Sequence, residues 1–112
     1  MESWPAVLRD LLSPLASELS DPDITDILVD GTECVRVDHV RDGRLNRGAR
    51  FHSGVELTGI VHLLADMDGA EVVGDHVTVR LPDGSRVHAI AAGLAHRGHG
   101  PWISIRRFRR SG

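Results

Sequence analysis

The chain has 112 residues, 41% of them apolar and four of them aromatic, which suits one domain with a single modest core. One cysteine excludes an intramolecular disulfide, and the absence of lysine among 13 basic residues means that any anion site must use guanidinium or backbone N–H groups. The net charge of −3 is unevenly spread: residues 1–38 hold nine acids and two arginines, whereas residues 97–112 hold five arginines and no acid.

The chain opens on a helical signal. Ser3 can cap a helix with Pro5 in its first turn. Trp4, Val7, Leu8, Leu11, Leu12, Leu15 and Leu19 follow at i, i+3, i+4 spacing, a wide apolar stripe. Pro14 should break or kink it, with Ser13 as a candidate cap for a second short helix. The stripe can cover the domain's own sheet or dock on a partner, and a sheet that needs a cover favours the first. The stripe is amphipathic and interrupted, so it is not a membrane span, and with no signal peptide the chain reads as cytoplasmic.

Asp21-Pro22-Asp23 is a turn, Ile24 to Val29 a strand, and Asp30-Gly31-Thr32 a reversal into Cys34 to Val40. There Val35 and Val37 share a face, and Cys34 reads as a buried, inert thiol. Arg41 to Arg44 is a further turn, followed by a weaker extended segment from Leu45 to Phe51; together these form a β-meander. Ser53 and Glu56 make a Ser-x-x-Glu capping box. The helix that it opens carries Val55, Ile60, Leu63, Leu64 and Met67 on or near one face, is weakened by Gly59 and ends at Asp68-Gly69.

Glu71 to Gly74 is a short edge strand. Beyond it, Val77, Val79 and Leu81 alternate with polar residues, and Pro82-Asp83-Gly84 supplies a turn. The returning strand sets Arg86 and His88 on one face and Val87 and Ala89 on the other. After a glycine- and histidine-rich connection, Trp102 to Phe108 reads as another strand, with Ile103 and Ile105 opposite Ser104 and Arg106. Arg86 and Arg106 thus come from neighbouring strands of one sheet. Paired guanidinium forks can hold phosphate or carboxylate bidentately, or can simply make surface ion pairs.

Other chemistry finds little support. His88, His96 and His99 match no common zinc spacing, so no metal is expected. Gly93 and Gly98 have P-loop spacing, but His99 and Gly100 stand where lysine and a hydroxyl residue are needed, and a strand follows instead of a helix. That segment reads as a connection between strands. No GxSxG, HExxH or CxxC is present, and no catalysis by this chain alone is expected.

Two stretches carry a family likeness. LSDPDITDILVDG, residues 19–31, and LPDGSRVHA followed by GPWISIRRF, residues 81–89 and 100–108, resemble the N-terminal domain of type II/type IV secretion ATPases, the tight-adherence (Flp) pilus assembly branch above all. The likeness spans residues 15–108, nearly the whole chain. It departs from the family where DGAEVVGDHVTV, residues 68–79, replaces an Arg-Arg-x-Asp-like run and an acid, and where Ala91-Ala92 stands for a proline pair.

The resemblance implies an α+β fold of PAS-like, secretion-ATPase N-terminal type: a helical segment, then a mostly antiparallel sheet of about five to six strands covered by one or two helices. It implies a domain over residues 1–108, with 109–112 beginning a basic linker toward a RecA-like C-terminal domain. In the intact parent, ATP and Mg²⁺ would lie between the two domains, and by motif position Arg86, Arg106 and Arg107 would reach the phosphates. The isolated chain would need no cofactor, being an excised or truncated piece without a P-loop. The implied partners are the RecA-like domain, neighbouring subunits of a homo-hexamer, and inner-membrane secretion or pilus platform proteins, at the cytoplasmic face of the membrane. The alternative is a stand-alone, sensor-like ligand-binding or protein-interaction module. Nucleic-acid binding through Arg97–Arg110 is a third class and is not expected.

Overall fold

The computed structural model describes residues 4–90 and 101–108. The Ser3 cap, the Gly/His-rich connection with Ala91, Ala92, His96 and His99, and the linker at 109–112 lie outside the described residues.

The N-terminal stripe forms α1 (Ala6–Leu12), one turn of 3₁₀ helix (Ser13–Leu15) and α2 (Ala16–Ser20). Pro14 sits in the tighter turn, so the helix changes pitch there without ending. The Ser13 hydroxyl donates back to the Asp10 carbonyl at 3.0 Å and caps nothing. Trp4, Leu8, Leu12, Leu15 and Leu19 are all buried in the domain's own core, with Leu11 half-buried against it; Val7, 63% exposed, escapes. The stripe therefore covers this sheet.

The sheet has seven strands: β1 (Ile24–Asp30), β2 (Cys34–His39), β3 (Gly43–Asn46), β4 (Glu71–Val73), β5 (His76–Arg80), β6 (Arg86–Ile90) and β7 (Trp102–Arg106). Their order is β3-β2-β1-β7-β6-β5-β4, and every neighbouring pair is antiparallel. The count exceeds the expected five to six because both weak segments pair at the edges. The first of them is shifted: β3 begins at Gly43, inside the expected turn, and ends at Asn46. The Arg44–Asp38 pair at 3.0 Å ties it to β2, and beyond it Arg50 and Phe51 turn inward, which takes the chain off the sheet edge.

Two meanders, β1-β2-β3 and β4-β5-β6-β7, are joined into one sheet because the last strand lies against the first. Alternation places two apolar rows on one face. Val37, Ile27, Ile105, Val87 and Val79 are successive cross-strand partners, as are Val35, Val29, Ile103, Ala89 and Val77. All ten side chains are buried.

Over these rows lie the N-terminal stripe, Phe51 and α3 (Gly54–Ala65). Ser53 is the N-cap of α3, its hydroxyl accepting from the N–H groups of Val55 (3.2 Å) and Glu56 (3.4 Å). The buried face of α3 is Leu57, Ile60, Val61 and Leu64. That corrects the expected face, since Val55 is 83% and Leu63 43% exposed; the sheet meets the i, i+3, i+4, i+7 set that begins at Leu57. Among the described residues, no helix is long and apolar enough to cross a membrane.

Candidate functional site

With the described helices all on one face, no described element covers the other face of the sheet, which is largely polar. Its alternating positions again form cross-strand rows. One reads Arg44, Asp38, Asp26, Arg106, Arg86 and Arg80 across β3, β2, β1, β7, β6 and β5. The left half is electrically matched. Arg44 donates to Asp38 at 3.0 Å, a contact that pushes the Arg44 guanidinium further up and keeps it charged. Arg106 Nε stands 3.9 Å from Asp26 Oδ1. The right half is unmatched: Arg86 lies directly between Arg106 and Arg80. Among the described residues, no carboxylate lies within 4.0 Å of Arg80 or Arg86. Like charges opposite one another in a ladder destabilise it.

These side chains border a shallow cleft of about 450 Å³ lined by Arg80, Gly84, Arg86, Arg106, Arg107 and Phe108. The end of β7 holds its rim in place. In the β5–β6 turn, Asp83 Oδ1 accepts from the Ser85 N–H at 2.8 Å, and Leu81 N–H donates to the Ser85 carbonyl at 2.7 Å. Phe108 N–H reaches Ser85 Oγ at 3.4 Å, and its ring lies over Gly84. Gly84 has φ +89°, and a Cβ there would stand 3.1 Å from Phe108 Cγ, so both backbone and space call for glycine. The turn that positions Arg86 is thus fastened to the segment that follows Arg106.

Arg107 is placed differently from its neighbour. Its Nη1 donates to the Glu18 carbonyl at 2.9 Å and its Nη2 to the Leu19 carbonyl at 2.8 Å, at the C-terminal end of α2. Its buried Nε has no hydrogen bond and faces Asp83 Oδ2 at 3.9 Å. Cations favour such a helix terminus, where the last carbonyls lack intrahelical partners. The structure therefore brings Arg86 and Arg106 together, as expected, and adds Arg80, which sequence reasoning passed over. The signal for Arg80 was present: it and Arg86 flank the Leu81–Ser85 turn symmetrically and must face each other across a hairpin.

A cluster of Asp21, Asp23 and His39 has ligand atoms within 4.8 Å of one another. His39 Nδ1 accepts from the N–H groups of Arg41 (3.1 Å) and Asp42 (3.3 Å), which leaves the proton on Nε2, facing Asp21 Oδ2 at 3.7 Å. No imidazole lone pair points into the cluster, so its geometry is that of a turn lock and not of a metal centre.

Neither a family model nor a curated protein matches the chain. Among solved structures, the chain is similar to the VirB11 ATPase from the Brucella suis type IV secretion system in complex with sulphate. The TM-score is 0.78 at 20% sequence identity, covering 95% of this chain and 32% of that one. The chain thus spans about a third of the length of that protein, and at this identity the likeness is one of fold.

Proposed function

We propose that this chain is the N-terminal domain of a secretion ATPase, and that Arg86 and Arg106, with Arg80 beside them, clamp the terminal phosphates of ATP held by a RecA-like partner domain. One observation carries this reading: three guanidinium groups stand in line on adjacent strands at an open cleft, two of them with no carboxylate partner among the described residues. A tetrahedral oxyanion would relieve their mutual repulsion, and guanidinium forks suit it. The fold likeness to an ATPase solved with sulphate, an oxyanion of the same shape and class as phosphate, supports the assignment.

Arg107, by contrast, serves the fold in this reading, because two of its donors hold the end of α2. The Flp branch rests on the motifs at 81–89 and 100–108 alone. ATP and Mg²⁺ belong to the intact parent, a homo-hexamer at the inner face of the membrane that works with secretion or pilus platform proteins. Arginines supplied from a separate domain would couple hydrolysis to domain closure, since the phosphate is fully clamped only when the domains meet.

The test is steady-state ATPase activity of the parent carrying Arg86→Ala or Arg106→Ala, alongside thermal melts. Arginines that stabilise a transferring phosphoryl group are worth about 10³–10⁵ in rate elsewhere, so kcat should fall by at least roughly tenfold. Lysine should rescue it only in part, because a point charge lacks the fork. Wild-type turnover in both alanine variants would falsify the assignment.

A further inference from the structure

The open face carries a second cluster, distinct from the arginine row. His76 on β5 and His88 on β6 are diagonal neighbours, with His76 Nδ1 and His88 Nε2 3.3 Å apart and ring centroids 5.3 Å apart. The other nitrogen of His88, Nδ1, lies 3.1 Å from Thr78 Oγ1. The Thr78 hydroxyl can accept from Nδ1–H, and in that tautomer the Nε2 lone pair faces His76, the arrangement that a metal ligand requires. Trp102 packs edge-on against His88 at 5.9 Å, which fixes the ring's orientation as well. Both histidines stand on paired strands, and His76 is exposed.

We infer that His76 and His88 form an open, two-histidine site for a tetrahedral divalent transition metal, Zn²⁺ above all. The spacing is the argument. Two nitrogens at about 2.05 Å from one ion, at the tetrahedral angle, lie about 3.3 Å apart, whereas a right-angled geometry would need about 2.9 Å. Ring separation agrees. Two imidazoles converging on one tetrahedral ion have centroids about 5.2 Å apart, against about 5.6 Å for a head-on hydrogen bond of this length. As the pair stands, the two facing nitrogens are hydrogen-bonded; a metal ion between them takes both lone pairs, with His76 carrying its proton on Nε2 instead of Nδ1, and water fills the remaining positions. Glu71 stands across from Thr78 on β4, and Arg86 lies two residues from His88.

Zinc titration of the untagged 112-residue chain tests the site, by competition with a chromogenic chelator and by Co²⁺ substitution, where a tetrahedral site gives an intense visible band. One equivalent should bind. His76→Ala and His88→Ala should each abolish binding. Thr78→Val should weaken it about 10–100-fold, the usual cost of losing a group that orients a ligand. Thermal melts without metal establish that each variant folds. Should His88→Ala fail to fold, the exposed His76→Ala still decides. No binding by the wild-type chain, or binding equal in the wild type and in His76→Ala, would overturn the inference.

Discussion

Adjacent residues of one Arg-Arg pair do opposite things here. Arg106 ends β7 on the open face with its side chain 83% exposed, whereas the Arg107 side chain is 12% exposed and caps α2 from the covered side. Hydrogen bonds from a charged donor contribute about 1.5–3 kcal/mol each. Arg107→Ala should therefore destabilise the chain by about 3 kcal/mol, lowering Tm by more than about 10 °C in a domain of this size. Arg106→Ala should leave Tm nearly unchanged, because an exposed ion pair at 3.9 Å is worth at most about 1 kcal/mol. Equal melts for the two variants would show that Arg107 is as dispensable to the fold as Arg106. Strict alternation already separates the two faces; a motif match treats both arginines as one unit and hides the difference.

At the scale of elements, short pieces are held by side chains far away in sequence. Helix α2 has five residues and could not persist alone. It is pinned through Glu18, a fully buried carboxylate that accepts both terminal nitrogens of Arg50 at 2.9 Å, while Arg47 stands 3.8 Å away. Arg50 also donates to the Pro14 carbonyl at 2.9 Å, so one guanidinium joins the 3₁₀ turn, α2 and the segment leading into α3. Removing one partner of a buried pair strands the other's charge. Glu18→Ala should therefore cost about 3 kcal/mol by denaturant melt. The Glu18→Ala/Arg50→Ala double variant should cost clearly less than the sum of the singles. Strict additivity would mean that the clasp does not couple these elements.

For the molecule as a whole, β7 is the closing piece. It pairs with β1 on one side and β6 on the other, from Asp26↔Arg106 to Asp30↔Trp102 and from Arg86↔Arg106 to Ile90↔Trp102. Ile103 and Ile105, both fully buried, sit at the middle of the two apolar rows. Without β7 the two meanders share no ladder, and their inner edges expose unpaired N–H and C=O groups. A chain ending at Ile90 should lose cooperative thermal unfolding by circular dichroism, although six of the seven strands remain in its sequence. A sharp transition in that fragment would show that the meanders fold independently.

Much of this architecture was legible residue by residue. Period-2 alternation marks β1, β2, β5, β6 and β7, the Ser53 box marks the start of α3, and the leucine stripe marks the covering helix, because each is a local pattern with a local cause. Arg86 and Arg106 were legible as a pair for the same reason. Edge strands β3 and β4 were weaker signals, since their pairing depends on a neighbour and not on their own composition. What only the tertiary structure decided is which distant residues meet. Arg80 joins the arginine row, Arg107 leaves it for α2, Glu18 finds Arg50 across 32 positions, and His76 finds His88 across 12. The strand-borne meetings depend on strand order and register, and the Glu18–Arg50 contact on how α2 lies against the segment that leads into α3. A one-residue slip would send each of the strand-borne side chains to the other face, and both quantities are set by how the apolar rows stack, not by the residues that they bring together.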